Sequence, residues 1–198
     1  MRFDSMFYVM QAVIVEGGMA LLGALLALLC GLDLGKAFFV SDASELVAQL
    51  SLGVALSAAL ALIFYLLDYL PLSSLKEISK LTQQTLKDTL DTATRFNRFL
   101  ICLLAGIGEE ILFRGFIFIA IFEFWPWGLE YHLNIIAAIA ISSFLFGLGH
   151  SVTPLYVVIA GLLGAAFSLV FLWTGSLIAP IVAHGLYDFY AIERALKE

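Results

Sequence analysis

Three short stretches of this chain set ionisable side chains inside long apolar runs. They are Gly108-Glu109-Glu110-Ile111-Leu112-Phe113-Arg114, Phe146-Gly147-Leu148-Gly149-His150 and His184-Gly185-Leu186-Tyr187-Asp188. Groups of this kind are costly within apolar spans and by default mark function, facing a cavity or each other. On a helix Glu110 and Arg114 stand at i and i+4, with the acid N-terminal to the base, the order that favours an ion pair. Such a pair offsets much of the penalty of either charge and accounts for both residues structurally. Glu109 lies about 100° further round the helix. It has no basic residue at i±3 or i±4 and is free to point elsewhere. His184 and Asp188 again stand at i and i+4, where a carboxylate can fix the tautomer and orientation of an imidazole.

One Glu, two His and one Asp offer a narrow chemistry. A glutamate can act as general base towards a water, with one histidine positioning that water and another stabilising an oxyanion. The same four residues, Glu109, His150, His184 and Asp188, could instead hold Zn²⁺ or another divalent cation, with an open position for water. Neither arrangement needs a serine or cysteine nucleophile. Both are compatible with hydrolysis of an amide inside a protected cavity.

The elements that must carry these groups are membrane helices. Of 198 residues, 62% are hydrophobic and only 13% charged, and the mean hydropathy is +1.02. A soluble domain carries about 25% charged residues and about 45–50% apolar ones. A small globule in water could not hide so much apolar side chain. Apolar stretches long enough to span run over residues 6–32, 46–70, 99–122, 131–149, 155–174 and 177–192. Breakers sit at their joins: Gly31 with Asp33, Pro71, Pro126 with Gly128, Pro154, and Gly175 with Ser176. Residues 6–32 are too long for a signal-peptide core and contain Glu16, so they read as a retained helix. Trp125, Trp127 and Tyr131 cluster at one connection, where aromatic rings suit the headgroup level.

The expected fold is therefore all-α: a polytopic bundle of about six spanning helices plus one amphipathic helix. Lys76, Lys80, Lys87, Arg95 and Arg98 make the 72–98 connection the cytoplasmic one. Both termini then fall on the cytoplasmic side. In that segment Leu75, Ile78, Leu81, Leu86, Leu90 and Ala93 recur at helical spacing, which predicts an amphipathic helix on the membrane surface. The chain reads as one membrane domain: a helix pair over 1–71, the amphipathic segment over 72–97, and a motif-bearing core over 98–198. By this threading Glu109 and His184 share a depth of roughly 15 Å, at about 1.5 Å per residue. His150 falls at the cytoplasmic end of its helix, shallower than its partners. Gly161-x-x-x-Ala165 and Gly164-x-x-x-Ser168 offer small faces for helix contact. Cys30 and Cys102 lie in apolar runs and predict no disulfide. The net charge of −6 excludes nucleic acid as a partner.

The three motifs, in this order on separate apolar segments, resemble the signature of the CAAX prenyl protease and bacteriocin-processing (Abi) family. Its pattern is Glu-Glu-x-x-x-Arg, then Phe-x-x-x-His, then His-x-x-x-Asn or Asp, and the resemblance covers about residues 99–188. It implies an intramembrane endopeptidase acting on a membrane-associated peptide or protein. Glu109 and His150 would activate the attacking water. His184 and Asp188 would sit on the oxyanion side or hold the site together. Glu110, Arg114 and Phe146 would support them. The resemblance leans to a glutamate-type enzyme without a cofactor, while the small size and the absence of targeting signals suggest a prokaryotic plasma membrane. Where the eukaryotic members have Asn, this chain has Asp188, and an ionised carboxylate cannot donate to an oxyanion. A bacteriocin-immunity or binding protein without proteolysis stays open as a second class. A proton-coupled transporter is a third, although no repeated halves are evident.

Overall fold

The computed structural model describes residues 5–67, 69–124 and 131–197. The expected headgroup residues Trp125 and Trp127, the breakers Pro126 and Gly128, and Arg2 lie outside them. The chain is all-helical: α1 (Ser5–Leu29), α2 (Ala43–Leu67), α3 (Ser73–Leu90), α4 (Arg95–Glu110), α5 (Ile119–Phe124), α6 (Tyr131–Gly149), α7 (Pro154–Thr174) and α8 (Ile178–Ala195). A short 3-10 turn, Leu34–Phe38, joins α1 to α2. A π-helical segment, Ile111–Phe118, carries α4 directly into α5.

Four helices are long and apolar enough to cross a membrane: Met6–Leu29, Ala43–Leu67, Tyr131–Gly149 and Pro154–Thr174. Their outward faces leave large side chains such as Leu21, Leu28, Leu162 and Trp173 exposed, as lipid contact requires and water would penalise. This is a polytopic membrane protein. The remaining expected spans correspond to α4–α5 and α8, which carry the Glu-Glu-Arg and His-Asp motifs and are less apolar for that reason.

Local chemistry explains the helix ends. Thr153 caps α7, its hydroxyl accepting from Tyr156 N at 3.1 Å, and Pro154 opens the first turn. Gly175 closes the same helix at φ 67°, a left-handed conformation that glycine adopts without strain. At the start of α2, Asp42 accepts from Glu45 N and from the Ser44 hydroxyl, while Glu45 reaches back to Ser41 N at 2.7 Å. The Ser44 hydroxyl holds Asp42 below the usual carboxylate range.

The expected amphipathic helix is present but ends at Leu90, and its segment gives way to α4 at Arg95, four residues before the predicted apolar run. Thr94 is the reason, since its hydroxyl accepts from Asn97 N at 3.1 Å and starts a new helix. α3 buries Ile78 and Leu90 and is tied to the end of α8 by Gln83 Nε2 donating to Ala195 O at 3.2 Å.

α8 forms the centre of the packing, lying against α2 and α4, while α6 pairs with α7 and α1 with α4. Near the ends of α4 and α8, Arg98 Nε meets Glu193 at 2.6 Å and Arg95 meets it at 3.4 Å. Two apolar clusters flank the motif residues. One is built on Phe118, Phe171, Leu177 and Ile181, the other on Leu60, Phe113, Phe146 and Phe167.

Candidate active site

α4 ends on Glu109 and Glu110, and the backbone then widens into the π-helix that carries Arg114. Such segments recur at functional sites because they re-aim side chains within one continuous helix. Glu110 and Arg114 are both fully buried. Arg114 Nη1 donates to Glu110 Oε1 at 2.8 Å, so the local i, i+4 pair forms as its spacing predicts. Arg114 Nη2 donates to Gly164 O at 2.8 Å, which ties the π segment to α7. The small-residue face of α7 therefore receives the guanidinium as well as a neighbouring helix.

The pair is larger than its spacing indicates. Glu110 Oε1 also lies 2.9 Å from His184 Nδ1 on α8, and His184 Nε2 lies 3.3 Å from Asp188 Oδ2. His184 thus has a carboxylate on each ring nitrogen. An ionised carboxylate only accepts, so the nitrogen facing each one donates, and a doubly protonated ring satisfies both. Asp188 is a third exposed and borders the open side of the site. This places it where it can orient His184, one of the roles that its carboxylate chemistry leaves available.

Glu109 points away from this chain of contacts, as its helical position requires. Its Oε2 lies 3.6 Å from His150 Nε2. His150 immediately follows the end of α6, and its Nδ1 lies 2.9 Å from Phe146 O. A carbonyl can only accept, so Nδ1 carries the hydrogen and, in the neutral ring, Nε2 is a bare acceptor facing a carboxylate. The shallower depth expected for His150 is not found: α6 ends at Gly149, where its apolar run predicts, and His150 nonetheless lies beside Glu109. That helix stops level with Glu109, roughly 20 Å along α4 from Arg95 at about 1.5 Å per residue, while α4, α8 and α3 continue past it.

Aromatic rings fix these groups. Phe146 stacks on His150 at 4.6 Å between centroids and meets His184 edge-on, and Arg114 lies 4.5 Å over its face. Phe167 of α7 stacks on His184 at 5.1 Å and 14°. Phe167 and Gly164 escape a reading of the sequence, because nothing in their spacing on an apolar helix distinguishes them from packing residues.

All seven residues singled out from the three motifs come together here. Glu109 Oε2, Glu110 Oε2 and Arg114 Nε are buried without a hydrogen-bond partner. Buried polar atoms are normally satisfied, and exceptions concentrate where a substrate or water is to be met. Among the described residues, no three His, Cys, Asp or Glu side chains converge as metal ligands.

The site opens into a cavity lined by Phe146, His150, Phe167, His184 and Asp188. Phe64, Tyr156, Ile159 and Tyr187 line both this cavity and an apolar groove that runs on to Leu75 and Ile78 of α3. The groove and the cavity thus adjoin, the one reaching α3 and the other the two histidines.

Residues 92–190 match the profile of a family described as type II CAAX prenyl endopeptidase Rce1-like. The matched half of the chain carries all three motifs and leaves out α1, α2 and α3. No curated protein and no solved structure matches the chain.

Proposed function

The chain belongs to the type II CAAX prenyl endopeptidase Rce1-like family, and from that premise we propose a glutamate-type intramembrane endopeptidase that cuts a membrane-associated peptide or protein. The observation that carries this reading is the facing of Glu109 Oε2 and His150 Nε2 at 3.6 Å. With Nδ1 of His150 carrying its hydrogen both atoms are acceptors, and a water placed beside the pair, within hydrogen-bond reach of each, would supply one hydrogen to each.

In the proposed reaction Glu109 takes a proton from that water as its oxygen attacks the carbonyl carbon of the scissile peptide. The carbonyl electrons move to oxygen, and the Nε2–H of His184 stabilises the oxyanion. Its 3.3 Å contact with Asp188 is loose enough for this hydrogen to be shared. The C–N bond then breaks, and Glu109 returns its proton to the leaving amine. Glu110 and Arg114 hold His184 in place and do not touch the substrate. The groove under α3 admits an apolar chain from the bilayer, with Tyr156 and Tyr187 close to the reacting bond. The lysines of α3, with Arg95 and Arg98, favour a cytoplasmic position for this mouth, both termini on the same side, and six spans in one membrane domain.

The test is cleavage of membrane-anchored peptides by the detergent-purified protein. Wild type is compared with Glu109→Ala, His150→Ala and Glu110→Ala, each with and without a strong chelator. Loss of turnover in the Glu109 and His150 variants, with folding intact and the chelator harmless, is the expected result. Loss on chelation with recovery in Zn²⁺ would replace the mechanism by a metal-bound water on the same residues. Persistent cleavage by Glu109→Ala would remove the catalytic assignment of that residue, whereas a binding or immunity protein would cut no peptide even as wild type.

A further inference from the structure

A carboxylate that belongs to none of the three motifs also faces this site. Glu16 lies mid-way along α1, among apolar neighbours such as Val13, Ile14 and Val15 that are exposed to lipid. Its Oε2 is nevertheless buried and has no hydrogen-bond partner. α1 approaches α4 very closely at this level. A Cβ built on Gly108 would collide with the carbonyl oxygen, carbonyl carbon and Cα of Glu16, so only glycine admits the contact. The register of α1 is thereby set with the Glu16 backbone against Gly108, the residue before Glu109.

Glu16 meets charged groups carried by two other helices. Its carboxylate lies within electrostatic reach of Glu109 on α4 and of His184 and Asp188 on α8. Arg114, the nearest permanent cation of the site, is engaged with Glu110 and Gly164. Among the described residues Glu16 thus has no ion pair that would explain a carboxylate in the middle of a spanning helix, and such residues by default serve a pathway or a site. Buried polar atoms left unpaired by protein are commonly joined through ordered water.

We propose that Glu16 is a positioning residue of the water-activating site. Through ordered water it anchors the hydrogen-bond network that presents the attacking water to Glu109, so α1 completes a site that the family-matched segment leaves open on one side. The inference rests on the proteolytic reading above, but its effect on Glu109 can be read without turnover.

The experiment compares full-length wild type, Glu16→Leu and Glu16→Gln in detergent. Melting temperature, kcat and KM are measured on a membrane-anchored peptide that the wild type cuts. Labelling of Glu109 by a hydrophobic carbodiimide is followed by mass spectrometry. Glu16→Leu removes a buried carboxylate from an apolar helix, so it melts at or above the wild-type temperature. Its kcat is expected to fall about ten- to a hundredfold with KM within about twofold. Glu16→Gln, which keeps the hydrogen-bonding atoms, is expected to recover much of that loss. A merely structural glutamate would lower melting and kcat together, and an incidental one would leave kcat unchanged; either result overturns the proposal. If wild type cuts no peptide, the proteolytic reading fails separately. Labelling of Glu109 then decides: a rate changed by about threefold or more in Glu16→Leu upholds the coupling, and an unchanged rate removes it.

Discussion

Glu109 Oε2 and His150 Nε2 face each other across 3.6 Å, while the other ring nitrogen of His150 is committed to the Phe146 carbonyl. The Phe146 ring lies stacked on the imidazole, so the orientation of His150 is set twice by one residue. Two residues forty-one positions apart in the chain are thereby brought face to face.

Glu109→Gln keeps the shape and the hydrogen bonds of the side chain but removes the base. Its kcat is predicted to fall about 10²- to 10⁴-fold, with KM nearly unchanged. His150→Ala should lose a comparable factor. Initial rates over a range of substrate concentrations check both, and an equal loss in KM would point instead to a binding role.

Arg114 has two hydrogen bonds and its stacking on aromatic rings to lose, and no solvent to turn to. Arg114→Met takes the permanent cation from the buried Glu110 carboxylate and leaves it the His184 ring, shared with Asp188, and a loss of about 3–5 kcal/mol is predicted. Glu110→Gln in the same chain should restore much of it, because the orphaned charge disappears. Thermal melting of the three variants in one detergent measures this, and failure of the double variant to recover would mean that packing on Phe146 dominates instead.

Asp188 is placed to accept from His184, not to donate to an oxyanion. Asp188→Asn retains an accepting oxygen, and turnover within about tenfold of wild type is predicted; Asp188→Leu retains none and should lose about 10²-fold. Rates of the two variants decide the matter. An Asn variant as inactive as the Leu one would show that the charge itself is required.

Ile159 lines the shared stretch of groove and cavity but touches none of the reacting groups. Ile159→Trp should narrow the path and raise KM about tenfold while leaving kcat within about twofold. A substrate series of increasing apolar bulk would make the same point, since the larger members should be hindered most.

Much of this protein was legible before any coordinates. Long apolar runs can only be lipid-facing helices, and the polar residues inside them name the site by their cost. Glu110–Arg114 and His184–Asp188 were readable because i, i+4 contacts follow from helix geometry alone. The departure of Glu109 from that pair followed equally from its position one residue earlier.

What needed the tertiary structure was every contact between helices. No spacing joins Glu110 to His184, Arg114 to the Gly164 carbonyl or Phe167 to the His184 ring. These depend on how far each helix is slid and turned against its neighbour, which side-chain packing decides. The placing of the end of α6 against α4, which brings His150 level with Glu109, is of the same kind. Glu16 shows the division within one residue. Its sequence position marks an anomalous charge in an apolar helix, but only the close approach of α1 at Gly108 sets that charge beside Glu109. Periodicity is a property of one helix and can be read along the chain; register between helices is a property of two surfaces and exists only once they have met.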